Sequence, residues 1–161
     1  MGAKSKIKMK RILVISDSHG NLSALDRLKG EMEKADYIFH LGDHWYDMKP
    51  YLKEYGKKIY TVFGNCDGGG EDYQITIEGV KILLTHGDRY HVKSSLFRVY
   101  LKALEISAKL VFFGHTHTPI NTEEQGVTLI NPGALNNAIK KTYCTVILED
   151  GKITVNHCEL E

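Results

Sequence analysis

Short apolar runs that end at polar donor side chains constrain the fold of this chain more than any other feature of its 161 residues. Each run is bounded by glycine or polar residues, which is the pattern of a buried strand. In open α/β sheets the ligand crevice lies at the carboxyl ends of the strands, so donors that are distant in the sequence meet there. We therefore predict an α/β fold with a polar site at the strand ends. The runs are Ile12 to Ile15, Tyr37 to Leu41, Ile59 to Phe63, Ile82 to Leu84 and Leu110 to Phe113.

The donor groups have spacings that suit metal ligands. Asp17 and His19 are two residues apart, so on an extended segment both point to the same side and can bind one ion. His115 and His117 repeat this spacing, which favours a metal over a pair of ordinary loop histidines. Asp43 follows a glycine at a strand end, where a sharp turn leaves its carboxylate free to contact two ions. Together the groups indicate a hydrolytic site with two metal ions. They are Asp17-Ser18-His19, Gly42-Asp43, Gly64-Asn65, His86-Gly87 and Gly114-His115-Thr116-His117.

The segments between the runs predict helices and a mixed sheet. Apolar residues recur at helical spacing from Leu22 to Ala35, with Asn21 suited to the N-cap. A second helix is expected at about Tyr46 to Tyr55, and two consecutive β-α-β crossovers imply parallel strands. Glu78-Gly79 predicts a hairpin, and a helix from about Ser94 to Ile106 precedes the last run. Further strands are expected at Val127 to Ile130, Tyr143 to Leu148 and Ile153 to His157.

Composition and charge exclude several classes of protein. A hydrophobic fraction of 42% with 25% charged residues is ordinary for a globular chain. The formal net charge of +1 gives no general electrostatic case for binding nucleic acid or a membrane. Three cysteines without a C-x-x-C spacing predict neither a disulfide framework nor a structural zinc site.

We divide the chain into a basic tail, residues 1–10, and a single domain, residues 11–161, because no linker or repeat interrupts the latter. The basic side chains could contact anionic partners, although a solvated tail is the preferred interpretation. The apolar run after the tail is too short for a signal sequence or a membrane span, so a cytoplasmic location is expected. The basic residues are Lys4, Lys6, Lys8, Lys10 and Arg11.

In this order, the donor groups from Asp17 to His117 resemble the calcineurin-like metallophosphoesterase superfamily, whose pattern runs D-x-H, G-D, G-N, a later histidine and G-H-x-H. Asn131-Pro132-Gly133 extends the resemblance to the small single-domain branch, which also contains the retromer scaffold subunit. The resemblance implies a β sandwich of two mixed sheets flanked by helices.

The resemblance also implies a ligand set and a reaction. One divalent ion would be held by Asp17, His19, Asp43 and His117, and a second by Asp43, Asn65, His86 and His115. A hydroxide that bridges the two ions, roughly 4 Å apart, would attack a small phosphodiester, so Asp43, Asn65 and His115 are the expected catalytic residues. Manganese is the first metal expected, and nickel, iron, zinc and magnesium also suit these donors.

The chain departs from the family pattern at Cys66, where many members carry a histidine after G-N. A thiol with an ordinary pKa of about 8.5 is a poor general acid near neutral pH. This disfavours esters with basic leaving groups and fits a phosphodiesterase. His44 and His91 are alternative proton donors, although a solvent-facing loop histidine is the commoner role. Asn65, Cys66 and His44 are the expected substrate contacts.

Several alternatives remain open from the sequence. The resemblance to the retromer subunit allows a protein-interaction scaffold with weak or no catalysis, and a nuclease would use the same chemistry on a longer substrate. A homo-oligomer is compatible with the chain. His40 is expected to be a hydrogen-bonded packing residue. Trp45 is expected either to line the substrate cleft and stack on an aromatic group or to pack at its rim.

Overall fold

The computed structural model describes residues 9–160. Lys4, Lys6 and Lys8 of the expected tail lie outside these residues. Lys10 belongs to the first strand, which begins at Met9, so the strand starts two residues before the domain boundary set from the sequence.

Two five-stranded mixed sheets form the centre of the described fold. The strands are β1 (Met9–Ile15), β2 (Tyr37–His40), β3 (Ile59–Thr61), β4 (Tyr73–Ile77), β5 (Val80–Leu84), β6 (Leu110–Phe112), β7 (Ile120–Glu124), β8 (Val127–Asn131), β9 (Thr142–Glu149) and β10 (Lys152–Glu159). The first sheet has the order β10-β9-β1-β2-β3 and the second β4-β5-β6-β8-β7.

Each sheet contains three parallel strands together with two strands that pair in the antiparallel direction. β1 pairs in parallel with β2 and β2 with β3, as the two crossovers predict. β5, β6 and β8 are also parallel neighbours, whereas β4-β5, β7-β8, β1-β9 and β9-β10 are antiparallel. The predicted hairpin at Glu78-Gly79 joins β4 to β5, with positive φ at both residues. The α/β sandwich of two mixed sheets is therefore confirmed.

The helices cover the outer faces of the two sheets. They are α1 (Leu22–Asp26), α2 (Lys29–Lys34), α3 (Leu52–Tyr55) and α4 (Phe97–Ile106), and 3-10 turns span Trp45–Tyr51, Gly56–Lys58, Asn65–Asp67 and Asp88–Tyr90. One apolar cluster fills the space between the sheets, where the rings of Phe39 and Phe112 lie 5.8 Å apart. A second cluster lies between the first sheet and α1 to α3, and a third between the second sheet and α4. Within residues 9–160, no helix is both long and apolar enough to cross a bilayer.

Two expected helices differ from those observed. The single helix predicted after β1 is divided into α1 and α2, because the Leu28 amide bonds to the Leu25 carbonyl three residues back and tightens the turn there. Asn21 caps α1 as predicted, and its side chain accepts from the Ala24 amide at 3.1 Å. The helix predicted at about 46–55 is mostly a 3-10 turn that contains Pro50, which lacks the amide that a regular helix would use.

Candidate metal centre

The site lies at the carboxyl ends of parallel strands, as the sequence predicts. Asp17 and His19 follow β1, Asp43 follows β2, His86 follows β5, and His115 and His117 follow β6. Neighbouring loops of the same sheet are joined by backbone hydrogen bonds: the Asp17 amide bonds to the Gly42 carbonyl, and the Gly114 amide to the His86 carbonyl, each at 3.0 Å. The Asp17 side chain joins the two sheets, since its Oδ2 accepts the His115 amide at 3.2 Å. Residues up to 100 positions apart thereby become neighbours.

One group of donors surrounds the Asp17 carboxylate. His117 Nε2 lies 3.1 Å from Asp17 Oδ1. His19 Nε2 lies 3.7 Å from the same oxygen and 3.6 Å from Asp43 Oδ2. One ligand atom from each of Asp17, His19, Asp43 and His117 lies within 4.8 Å of the others. These are the four residues that the family pattern implies for one ion.

A second group shares Asp43 with the first. His86 Nε2 lies 3.3 Å from Asp43 Oδ2 and 3.2 Å from His115 Nδ1. Asp43, His86 and His115 again offer ligand atoms within 4.8 Å of one another. Asn65 begins the neighbouring turn and has an exposed side chain, so its role as the fourth ligand stays a prediction.

The polar atoms in both groups fit a divalent cation. His19 Nε2 is buried and lacks a hydrogen-bond partner, which is costly for a polar atom. His86 Nδ1 donates to the Leu41 carbonyl at 2.7 Å, so in the neutral ring Nε2 carries the lone pair and faces Asp43. Two carboxylates and several imidazoles that converge in this way offer the hard and borderline donors that Mn, Fe, Ni or Zn accept.

The charges at the site favour cation binding. Burial opposes ionisation of Asp17, but the hydrogen bond from His117 and the nearby His19 ring outweigh it and hold the Asp17 pKa below its usual value. Burial likewise opposes ionisation of Asp43, and bonds from His86 and the Cys66 amide lower its pKa. Burial lowers the pKa of His115, and the nearby charges of His86 and Lys93 lower it further. The carboxylates are thus ionised near neutral pH, and the His115 ring is kept neutral.

Backbone strain is concentrated at the same residues. The φ angle is positive at 53° for Asp17, 42° for His19, 61° for Asp43, 71° for His115 and 63° for His117. Such non-glycine residues cost about 1–3 kcal/mol each and persist only where the surroundings fix them. The left-handed turns direct these side chains inward from the strand ends.

Two glycines make room for the carboxylates. A Cβ atom at Gly64 would lie 2.2 Å from Asp43 Oδ1, and one at Gly114 would lie 2.2 Å from Ser16 Oγ and 2.8 Å from Asp17 Oδ2. A side chain at either position would force the carboxylate or the loop to shift, which explains why G-N and G-H begin with glycine.

Asp67 holds the loops after β2 and β3 together and was not identified from the sequence. Its Oδ2 accepts the amides of Asp43 at 2.8 Å and Gly64 at 2.9 Å, and its Oδ1 accepts the His44 amide at 2.7 Å. The only local signal was an acidic residue at the end of a short turn, which is common. Asn131 acts similarly on the loop after β6, since its side-chain amide donates to the Gly114 carbonyl at 2.9 Å.

A buried network lies behind the first group of donors. The Gly42 amide donates to His40 Nδ1 at 3.1 Å, so His40 Nε2 carries the proton and donates to Ser18 Oγ at 2.8 Å. Ser18 in turn donates to Asp47 at 2.8 Å. Complete burial lowers the pKa of His40 to about 4, so the ring is neutral. His40 is therefore a hydrogen-bonded packing residue, as expected.

The candidate proton donors occupy different places. Cys66 is exposed beside Asp43, whose Oδ1 accepts the Cys66 amide at 2.9 Å. Desolvation and the negative charge of Asp43 raise the pKa of the Cys66 thiol, so it is neutral. The His44 ring lies 5.2 Å from the His19 ring. His91 instead lines a cavity of about 290 Å³ together with Tyr90 and Arg98.

Comparison with known proteins places these features in a family. Residues 9–151 match the model of the calcineurin-like phosphoesterase superfamily domain. The chain is 34% identical over 152 residues to the probable metallophosphoesterase YsnB of Bacillus subtilis, covering 89% of this chain and 88% of that protein. It is 26% identical over 155 residues to the phosphodiesterase YfcE of Escherichia coli, covering 80% of each.

Solved structures share the fold. A predicted phosphoesterase from Streptococcus pneumoniae superposes with a TM-score of 0.79 at 26% identity, over 94% of this chain and 90% of that one. Vacuolar protein sorting 29 from Cryptosporidium parvum superposes with a TM-score of 0.75 at 20% identity, over 94% and 97% of the two chains. The second likeness shows the fold alone.

Proposed function

Since the chain belongs to the calcineurin-like phosphoesterase superfamily, we propose that it is a phosphodiesterase that works with two divalent metal ions. The observation that carries the proposal is the pair of donor groups that share Asp43, each with its ligand atoms within 4.8 Å of one another. The similarity to YfcE, which is named a phosphodiesterase, supports the substrate class. We also propose a cytoplasmic location and a small substrate, because the net charge of +1 offers little attraction to long nucleic acids.

The residues divide into two binding sets. Asp17, His19, Asp43 and His117 would hold one ion, and Asp43, Asn65, His86 and His115 the other. When bound, the two ions would polarise the phosphoryl oxygens and lower the pKa of water enough to supply a bridging hydroxide for in-line attack. Asp43 would belong to both binding sets through its one carboxylate. Asp67 would hold Asp43 in place by accepting the Asp43 backbone amide. Manganese is the first metal to test.

The neutral Cys66 thiol limits the range of esters that the protein should hydrolyse efficiently. It lies at the position where many relatives carry the imidazole that protonates the leaving oxygen, and its raised pKa makes proton transfer slow. Esters whose leaving group is stable as an anion need no proton. We therefore expect activated diesters to be hydrolysed faster than alkyl esters.

The first test is hydrolysis of bis-p-nitrophenyl phosphate and p-nitrophenyl phosphate by chelator-treated protein, with and without added Mn²⁺. We expect Mn²⁺-dependent cleavage, faster for the diester, that falls at least about 100-fold in Asp43→Asn because the shared ligand is weakened. Asp150→Asn is the matched control, since Asp150 also has a positive φ, 53° against 61°, but lies in the β9-β10 turn. Full activity of Asp43→Asn would contradict the mechanism.

A protein-interaction scaffold is the second candidate, and one surface favours it. Phe97, Leu101 and Leu104 on α4 are 61%, 45% and 47% exposed, and exposed apolar patches are typical of interaction surfaces. Folded protein that turns over neither ester with any of Mn²⁺, Ni²⁺, Fe²⁺, Zn²⁺ or Mg²⁺ would favour this candidate over the phosphodiesterase.

A further inference from the structure

Aromatic side chains extend outward from the metal centre along the loops after β2 and β3. The ring centroids of His19 and His44 are 5.2 Å apart, and those of His44 and Tyr46 are 4.9 Å apart. Trp45 meets Tyr46 edge-on at 6.3 Å and stacks on Phe63 at 5.2 Å with an interplanar angle of 4°. We call His44, Trp45, Tyr46 and Phe63 the aromatic row.

The three large rings of the row lie outside the apolar clusters of the described fold. Trp45, Tyr46 and Phe63 belong to none of the three clusters, and they pack mainly on one another. Tyr46 is 43% exposed and Phe63 40% exposed, whereas Trp45 is half-buried. Large aromatic rings that are exposed to water contribute little to the stability of the fold. Beside a polar site, such rings are typical of a ligand-binding surface.

The row is held in position by the contacts that hold the metal ligands. Asp67 accepts the His44 amide at 2.7 Å, and Asp47 accepts the Gly20 amide at 2.7 Å, which fixes the turn that carries Trp45 and Tyr46. A Cβ atom at Gly70 would lie 3.0 Å from the Phe63 ring, so the backbone there packs closely on this ring. Rings fixed in advance lose little entropy when they bind.

The aromatic row begins beside the donor groups, because the His44 ring centroid lies 5.2 Å from that of His19. Trp45 comes two residues after the shared ligand Asp43, and Phe63 comes two residues before Asn65. A substituent on a phosphoryl group bound at Asp43 and Asn65 would therefore extend over these rings. Lys49, whose Nζ lies 5.9 Å from the Trp45 ring centroid, is exposed, so a planar group can displace its side chain into water.

We propose that the aromatic row binds a planar aromatic substituent of the substrate, so that the protein prefers phosphodiesters with a nucleobase or another aryl group over purely aliphatic diesters. The inference rests on the proposed function, because it places the phosphoryl group at the two donor groups.

The first test uses the intrinsic fluorescence of Trp45, which is the only tryptophan in the chain. The Mn²⁺-loaded protein is titrated with adenosine 5′-monophosphate and with ribose 5-phosphate, which carries the same phosphate without the base, and Kd values are measured by calorimetry in parallel. We expect the nucleotide alone to change the fluorescence and to bind roughly 5- to 100-fold more tightly, which is what stacking of one base provides. Equal Kd values would overturn the inference.

Phenyl phosphate tests whether the aromatic row binds aryl groups in general or nucleobases in particular. Binding as tight as that of the nucleotide would assign the row to aryl groups in general, and binding that is weaker than the nucleotide but tighter than ribose 5-phosphate would assign it to nucleobases. Both results support the inference, whereas binding no tighter than ribose 5-phosphate for both aromatic ligands would overturn it.

Variants test whether the row is responsible. Tyr46→Leu and Phe63→Leu keep apolar bulk and remove a ring, and each should bring the Kd ratio of ribose 5-phosphate to the nucleotide toward one. Phe97→Leu is the matched control, because Phe97 is an exposed ring, 61% accessible, on α4. Circular dichroism confirms that each variant is folded. An unchanged ratio in both row variants, or an equal loss in the control, would contradict the proposal.

A kinetic comparison separates this inference from the proposed function. Thymidine 5′-(p-nitrophenyl phosphate) and methyl p-nitrophenyl phosphate have the same leaving group and differ in the other substituent. A higher kcat/KM for the thymidine ester supports both proposals. Both esters carry the p-nitrophenyl ring, so equal values with a Kd ratio above one would assign the row to aryl groups in general, whereas equal values with a Kd ratio of one would overturn the aromatic preference and leave the phosphodiesterase intact. If neither ester is hydrolysed, the proposed function is overturned. The Kd ratio of ribose 5-phosphate to the nucleotide would then show by itself whether the aromatic row binds an aromatic group.

Discussion

At the scale of single residues, the site depends on atoms that approach one another closely and leave little room for substitution. His19 Nε2 is buried without a partner, and Gly64 lies against the Asp43 carboxylate. Cys66 departs from the family pattern, which often has a histidine after G-N. Each of the last two positions permits a direct test.

Gly64→Ala should impair both metal binding and stability. The new Cβ atom would lie 2.2 Å from Asp43 Oδ1, so the shared ligand or the loop must move, at a cost of about 1–3 kcal/mol. Gly30→Ala is the control, because a Cβ atom at Gly30 meets nothing within 4 Å and alanine favours the helix by about 1 kcal/mol. Urea unfolding and calorimetric Mn²⁺ titration measure the two effects. Wild-type affinity in Gly64→Ala would show that the close approach is unimportant.

Cys66→His should restore a general acid. An imidazole at this position should raise kcat/KM about tenfold or more for esters with alkyl leaving groups and change it little for p-nitrophenyl esters, because only the former need a proton. Cys66→Ser, which removes the thiol without adding an acid of suitable pKa, is the control. An equal gain on all esters would refute this explanation of the cysteine.

At the scale of elements, the loops after the strands carry the donor groups, and the helices mainly cover the sheets. The predicted strands and their parallel pairing are observed: β1, β2, β5 and β6 are apolar runs that are largely buried on both faces, whereas β3 at the edge is half-buried. The sequence did not reveal β7, whose residues Ile120–Glu124 are mostly exposed and lack apolar alternation. The division of the first predicted helix into α1 and α2 was also missed, since apolar spacing continues through the break.

Asp67 links two of these loops, and its removal should weaken metal binding without removing a ligand. Asp67→Ala leaves three amides without their acceptor, so we expect Mn²⁺ affinity to fall about 10- to 100-fold and stability to fall by about 1–3 kcal/mol. Asp36→Ala, which removes an acceptor from the single amide of Arg11, should leave Mn²⁺ affinity unchanged. A loss of stability with normal Mn²⁺ affinity would show that Asp67 stabilises the fold but does not position the metal ligands.

At the scale of the whole molecule, buried groups couple folding to pH. The pKa of His40 is lowered to about 4 from 6.5 by burial, so the unfolded chain binds the extra proton first. The contribution of His40 to the free energy of unfolding, at most about 3 kcal/mol, is present above pH 6.5 and is lost as the pH falls toward 4. His115, whose pKa is also lowered, acts in the same direction. The pKa values of His19 and His86 are raised, so their contribution is lost only as the pH rises above 6.5.

Unfolding of the metal-free protein in urea between pH 4 and 7 measures this coupling. We expect the free energy of unfolding to fall on acidification. His40→Gln can still donate to Ser18 but does not titrate, so the dependence of the free energy of unfolding on pH should decrease by the equivalent of about one proton. The same slope in the variant would mean that His40 is not the group that titrates.

The sequence by itself determined the strands other than β7, the order of the donor groups and their place at one edge of the sheets. These follow from local patterns, because parallel strands bring their carboxyl ends together whatever the details of packing. Only the tertiary structure showed that Asp67 fixes the loop amides and that Trp45 stacks on Phe63. Contacts of this kind depend on how left-handed turns aim side chains across gaps of many residues, and neither spacing nor hydrophobicity along the chain contains that information.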